Sequence, residues 1–220
     1  MSDAFLTIDA ALGEGADVEL EIKRSRFLTR IRRVSTEEAA RAVVEERRSA
    51  MFDARHHCSA FILGPDGRIA RSSDDGEPAG TAGIPMLTAL QHNQLTDVVA
   101  VVTRYFGGIK LGAGGLVRAY TDAVAQAVAA VGTRRVRPSR VLRIDVDFAS
   151  AGAVEDQLRG LVLPSGEQVV VDGVEWSDRA HISVAVPSVC VGELEVSLAS
   201  LSAGTLTAVQ VDERWTDQPG

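Results

Sequence analysis

Apolar and polar positions along this chain recur with two periods, and the elements they predict fall into two groups. In the first group, Val18–Ile22 and Phe27–Val34 read as strands around the turn-like Lys23-Arg24-Ser25-Arg26. Ser35-Thr36-Glu37-Glu38 matches a capping box, with Ser35 accepting an orphan amide and Glu38 reaching back. The helix after it puts Ala39, Ala40, Val43 and Val44 on one face and offers Glu37 and Arg41 as an i,i+4 pair. His57–Leu63 and Arg68–Ser72 predict a hairpin around Gly64-Pro65-Asp66-Gly67. Pro85 suits a first helical turn, and Met86, Leu87 and Leu90 follow at helical spacing. Val98–Val102 is uninterrupted and mostly β-branched, the pattern of a strand covered on both faces. Beyond Gly107–Gly115, a long helix carries Leu116, Tyr120, Ala123, Ala127 and Val131 on its apolar side, with Arg118, Asp122 and Gln126 opposite.

The second group is more regular. Leu142, Ile144, Val146 and Phe148 alternate with Arg143, Asp145 and Asp147, which predicts one half-buried strand. Ser150 caps an expected helix with Val154, Leu158 and Leu161 on one side. Val169–Trp176 and His181–Val186 form an expected hairpin around Ser177-Asp178-Arg179. Ser188 caps a second helix bearing Val191, Leu194, Leu198 and Leu201, and Leu206–Val211 closes the set. That order is βαββαβ, the ferredoxin-like split unit, whose open sheet face would present Arg143, Asp145, Asp147, His181 and Ser183. Thr216–Gly220 reads as a free tail, and no repeat or low-complexity tract interrupts either group.

Charge sharpens the division. The 220 residues carry a net charge of −7, yet residues 1–135 hold 17 Lys+Arg against 17 Asp+Glu, so residues 136–220 supply all of the excess acid. Between the groups, Gly132-Thr133-Arg134-Arg135-Val136-Arg137-Pro138-Ser139 combines a helix-ending glycine, a basic cluster and a proline, which predicts a linker. Two cysteines, Cys58 and Cys190, cannot build a disulfide framework and point to a reducing compartment. Neither a basic, apolar leader nor a run of about 20 apolar residues is visible. Membrane, disulfide-scaffold and disordered classes are thereby disfavoured. Only Lys23 and Lys110 among the 23 basic residues are lysine, a bias that reads as genome-wide preference.

Two segments carry more chemistry than folding asks for. In Asp74-Asp75-Gly76-Glu77-Pro78-Ala79-Gly80-Thr81-Ala82-Gly83, the residues Asp74, Asp75 and Glu77 either hold a cation or orient the loop through carboxylate-to-amide bonds, and Asp74 or Asp75 equally suits an ion pair with Arg104 or Lys110. In the second, a strand feeds a glycine-rich loop that opens a helix. Gly107, Gly108, Gly112, Gly114 and Gly115 would let backbone amides approach an anion, with Arg104, Lys110 and Arg118 supplying charge. The same glycines equally serve tight strand-to-helix packing. The spacing matches neither a P-loop nor a dinucleotide fingerprint, so no cofactor is assigned. His56-His57-Cys58 puts His56 and Cys58 on one strand face but lacks an orienting third group for catalysis and a second ligand pair for zinc, so no metal is assigned. Lys23, Arg24, Arg26, Arg30 and Arg32, with Arg33, Arg47 and Arg48 nearby, read either as a phosphate-backbone footprint or as a solvated face balanced by Glu19, Glu21, Glu45 and Glu46.

On the two segments, and on Lys23-Arg24-Ser25-Arg26-Phe27 and Ala54-Arg55-His56-His57-Cys58-Ser59-Ala60, the chain resembles the IMPACT/YigZ family, in its bacterial two-domain form. It departs at Arg55 and Ala79, where the family often has threonine and serine. The resemblance implies an α+β protein in two parts. Residues 1–134 would be similar to the second domain of ribosomal protein S5, and residues 135–220 would form a ferredoxin-like domain similar to the last domain of elongation factor G. Eukaryotic relatives regulate translation, so the expectation is a noncatalytic, cytoplasmic regulator or binding module that meets RNA, the ribosome or a translation factor. Two alternatives stay open: an enzyme on a phosphorylated small molecule or nucleotide, and a protein-binding module using the C-terminal sheet.

Overall fold

A computed structural model describes residues 4–9 and 17–217. The chain divides into two compact units, one ending at Val136 and the other spanning Arg137–Asp217. The first contains β1 (Phe5–Ile8), β2 (Val18–Ile22), β3 (Ser25–Arg33), α1 (Glu37–Ala50), β4 (His56–Leu63), β5 (Ile69–Ser73), α2 (Gly83–His92), β6 (Val98–Tyr105) and α3 (Ala113–Val131). Five of its strands pair antiparallel in the order β2-β3-β6-β4-β5.

Central β6 is buried on both faces, as its uninterrupted apolar run requires. Val98, Ala100 and Val102 face one core beneath α2 and α3, while Val99 and Val101 face a second core beneath α1. Lys23 and Arg24 turn β2 into β3 with φ of 48° and 63°, the left-handed pair that a two-residue hairpin needs. The cap of α1 is Thr36, whose side chain accepts from the Ala39 amide at 3.1 Å, not Ser35. The box expected with Glu38 therefore does not form, whereas the Glu37–Arg41 pair does, at 3.1 Å.

The second unit contains most of β7 (Thr133–Val146), then α4 (Phe148–Arg159), β8 (Val170–Trp176), β9 (Ala180–Pro187), α5 (Val191–Leu201) and β10 (Ala208–Asp217). Strand order β10-β7-β9-β8 realises the split βαββαβ arrangement. Leu142, Ile144, Ile182, Val184, Leu158, Leu194 and Leu198 form its core.

Several local expectations change here. The segment from Gly132 to Ser139 does hold the boundary between the units, at Val136, but it is strand rather than loop: Gly132 ends α3 at φ 78°, and β7 starts at Thr133. Thr133–Val136 pair with β1 and Ser139–Val146 with β9, and Pro138 falls between these two ladders. Phe148 leaves the strand pattern and begins α4, where it is exposed. Asp147 precedes that helix as its cap residue without a side-chain cap bond, while the Ser150 hydroxyl donates to the Asp147 carbonyl at 3.2 Å. Ser188 begins a short 3-10 turn rather than capping α5, and its hydroxyl is buried without a partner. Thr216 and Asp217 belong to β10, with Thr216 bonded to Ser139 at 2.5 Å; residues 218–220 lie outside the described residues.

Candidate functional site

Strand parity places Arg104. It follows Val98, Ala100 and Val102 on the face of β6 beneath α2 and α3, and it stands opposite Phe27 on β3 and His56 on β4. Arg104 is 6% exposed and Glu77 9%, and they meet at 2.6 Å. The Tyr120 hydroxyl donates to the same Glu77 oxygen at 2.9 Å. Arg104 also reaches Ser25 at 3.4 Å and lies over the rings of Phe27 and Phe106 at 5.4 and 5.7 Å, while its Nε has no partner. Arg104 is therefore an internal counter-charge, not the solvent-facing anion ligand expected from the sequence. Glu77, rather than Asp74 or Asp75, is its partner.

Cys58 joins this network. Its Sγ lies 3.3 Å from the Tyr120 hydroxyl and 3.0 Å from the Asp74 carbonyl. Burial pushes the thiol up to about 12; the Tyr120 hydrogen bond works the other way, and nearby Glu77 adds to the rise. A thiol so held is protonated at neutral pH and is no nucleophile. Burial likewise raises the Tyr120 hydroxyl well above the usual tyrosine range, reinforced by Cys58 and Glu77.

The three acids of the first segment have separate structural partners. Asp74 accepts the amides of Gly80, Ala82 and Gly83 at 2.8, 3.0 and 2.8 Å and so caps the start of α2. Burial would raise its carboxyl, but the three amides outweigh that and hold it below the usual range. Asp75, at φ 42°, accepts the His57 amide at 2.6 Å and pairs with Arg48 at 2.5 Å. Its carbonyl lies 2.9 Å from His56 Nδ1, which must donate to it. His57, on the opposite face, meets Thr103 at 3.1 Å, and its ring is held below the usual histidine value, chiefly by burial. No three of His, Cys, Asp or Glu converge into a metal-holding group among the described residues.

The arginine stripe does not form an open phosphate footprint. Arg26 pairs with Glu19, Arg30 and Arg47 with Asp17, and Arg32 with Glu46, at 2.6–2.9 Å. The solvated-face alternative holds for Arg26 and Arg32, while Arg30 and Arg47 are buried ion pairs. Exposed Lys23 and Arg24 remain, at the tip of the β2–β3 turn.

That turn touches the glycine-rich loop. A β-carbon at Gly107 would collide with the Arg24 carbonyl group, and the Gly107 amide donates to Ser25 at 3.2 Å. Gly107 is thus a packing glycine. Gly108 and Gly112 adopt φ of 85° and 72°, and the space beside them and beside Gly114 is open. Gly112 precedes α3 with no side-chain cap and no acid in its first turn. Phe106, Gly108, Ile109, Lys110 and Arg118 are exposed around it. The structure therefore collects Lys23, Arg24, Gly108, Lys110, Gly112, Gly114, Gly115 and Arg118 in and beside one loop, while Arg104 belongs to the buried network, Gly107 to packing and Arg26 to a surface ion pair with Glu19.

Fold and site together define an α+β protein of two units, in which one segment locks a buried charge network and a neighbouring basic loop is left open. A family model described as the Impact N-terminal domain matches residues 23–128. IMPACT family member YigZ of Escherichia coli (strain K12) is 39% identical over 198 residues, covering 88% of this chain and 93% of that one. IMPACT family member YvyE of Bacillus subtilis (strain 168) is 42% identical over 146 residues, or 66% and 67% of the two chains. A crystal structure of a hypothetical protein superposes with a TM-score of 0.62 at 36% identity over 96% of this chain and 99% of that one. The chain belongs to the IMPACT family. Among the described residues, no helix is long and apolar enough to cross a membrane.

Proposed function

We propose that this protein is a noncatalytic, translation-linked binding module that takes the phosphates of RNA on its N-terminal unit. The observation that carries the reading is the contact of the Lys23–Arg24 turn with the Gly107 loop, beside the uncapped start of α3. Orphan helix amides and exposed cations favour an anion, and the glycines let it approach the backbone. Lys23, Arg24, Lys110 and Arg118 are all exposed. The absence of catalysis is supported by the pairing of Glu77 with Arg104 and by the protonated Cys58. RNA itself, the ribosome and a translation factor are the partners proposed from family membership.

The finer fold likeness is also our inference. The antiparallel-sheet unit is taken to be similar to the second domain of ribosomal protein S5, and the βαββαβ unit to the last domain of elongation factor G. A cytoplasmic location accords with two buried free cysteines.

Filter binding of single-stranded RNA over rising salt tests the reading. Affinity should fall with salt, and Lys110→Ala with Arg118→Ala should weaken binding and reduce the salt slope by about 1.4. Affinity absent at low salt, or unchanged in the double variant, overturns it. A thermal-shift response to nucleotides or phosphate esters instead of RNA would favour an enzyme on a phosphorylated small molecule.

A further inference from the structure

The acidic C-terminal unit holds a second surface of opposite preference. Between α4 and the C-terminal end of α5 lies a cleft of about 290 Å³. Val154, Leu158, Leu198, Leu201 and Leu206 supply its apolar lining, and Asp145, Asp147 and Arg179 stand among its polar residues. Directly after Asp147, Phe148 stacks on Trp176 with ring centroids 5.9 Å apart and planes 22° apart. Both rings face water, at 54% and 62% exposure. A stacked pair of large aromatics normally buries its area; this one keeps it available.

Charge says what would cover it. Asp147 and Asp178 have side chains 78% and 86% exposed. Asp147 reaches its nearest cation, Arg179, only at 3.9 Å, and Asp178 accepts from Ser177 and lies 3.5 Å from His181. Glu175 is exposed beside Trp176. Asp145 is already held by Arg143 and His181, at 3.0 and 2.7 Å, so the open acids are Asp147 and Asp178. Carboxylates beside an exposed indole repel phosphate and attract a guanidinium, which the ring face also binds. The apolar cleft next to it suits an aliphatic side chain.

We propose that the Trp176–Phe148 platform and the adjoining cleft form a docking site for a peptide segment in which arginine alternates with a large aliphatic residue. The arginine lies on the Trp176 face between Asp147 and Asp178, and the aliphatic side chain enters the cleft over Leu158 and Leu198. This site is separate from the anion surface of the N-terminal unit and takes the opposite charge.

The test is titration of the full-length protein with a fluorescein-labelled peptide of alternating arginine and leucine, followed by anisotropy. An arginine–serine peptide, a glutamate–leucine peptide and single-stranded oligouridylate serve as comparisons. Saturable, salt-sensitive binding of the arginine–leucine peptide is expected, with the arginine–serine peptide about tenfold weaker and the glutamate peptide silent. Trp176→Ala, and separately Asp147→Asn with Asp178→Asn, should each weaken binding about fivefold while circular dichroism melting stays near wild type. Binding unchanged in both variants, no saturation below about 1 mM, equal binding of the glutamate peptide, or displacement by oligouridylate acting through Trp176 overturns the proposal.

Discussion

Arg104 shows how one side chain can read as a ligand and act as a brace. Its charge is buried with Glu77 and Tyr120, and one partner cannot leave without stranding the other. Glu77→Ala should therefore destabilise the protein by about 3–5 kcal/mol, and the double change Glu77→Leu with Arg104→Met should restore most of the loss. Urea unfolding followed by circular dichroism measures both. Asp74 gives a pH prediction. Its carboxyl is depressed in the fold, because three amides outweigh burial, so its contribution is complete above the ordinary carboxylate value of 3.8 and is lost as pH falls through the lower folded value. Asp74→Asn should cost about 2 kcal/mol at neutral pH and flatten that acid limb, read from unfolding free energy against pH. His57 acts with the same sign in a higher window: burial keeps its ring neutral, so stability falls as pH drops below the ordinary histidine value of 6.5.

At the scale of elements, the glycine loop separates packing from function position by position. Gly107→Ala forces a β-carbon into the Arg24 carbonyl group and should destabilise. Gly114 lies in the first turn of α3 with open space beside it, so Gly114→Ala should stabilise by about 0.5–1 kcal/mol. If the α3 amides meet an anion closely, the same change weakens RNA binding while raising Tm, a split that packing alone does not produce. Thr36→Ala should cost about 1 kcal/mol and Ser35→Ala much less, since only Thr36 accepts an amide.

Those elements also mark what was legible. The β6 core strand, the Leu116–Val131 stripe and the βαββαβ order followed from periodicity, because burial on one or both faces writes itself into residue type. Ser35, Ser150 and Ser188 misled because several short polar residues compete for a cap, and chain geometry chooses among them. Gly132–Ser139 looked like a linker because charge and proline mimic a loop, whereas ladder partners distant in sequence made it a strand. The Glu77–Arg104–Tyr120–Cys58 network was hidden since its members come from three elements and a loop. Its signals were present in two places: Arg104 continues the inward parity of β6, and Tyr120 puts one hydroxyl into an otherwise apolar helix stripe.

For the whole molecule, net charge describes location better than class. The excess of acid belongs to residues 136–220, where the exposed aromatic pair sits, while the balanced N-terminal unit spends most of its arginines on internal and surface ion pairs and leaves a few cations at one loop. The proposed RNA site thus belongs to one loop of a protein that is acidic as a whole. Amide chemical-shift mapping of the full chain titrated with short single-stranded RNA tests this most directly. The account predicts the largest shifts at Arg24, Gly108, Lys110, Gly112, Gly114 and Gly115, fading with salt, and little change along Arg26–Arg33 or in residues 137–217. Shifts concentrated on β3 or in the C-terminal unit, or none at any salt, would contradict it.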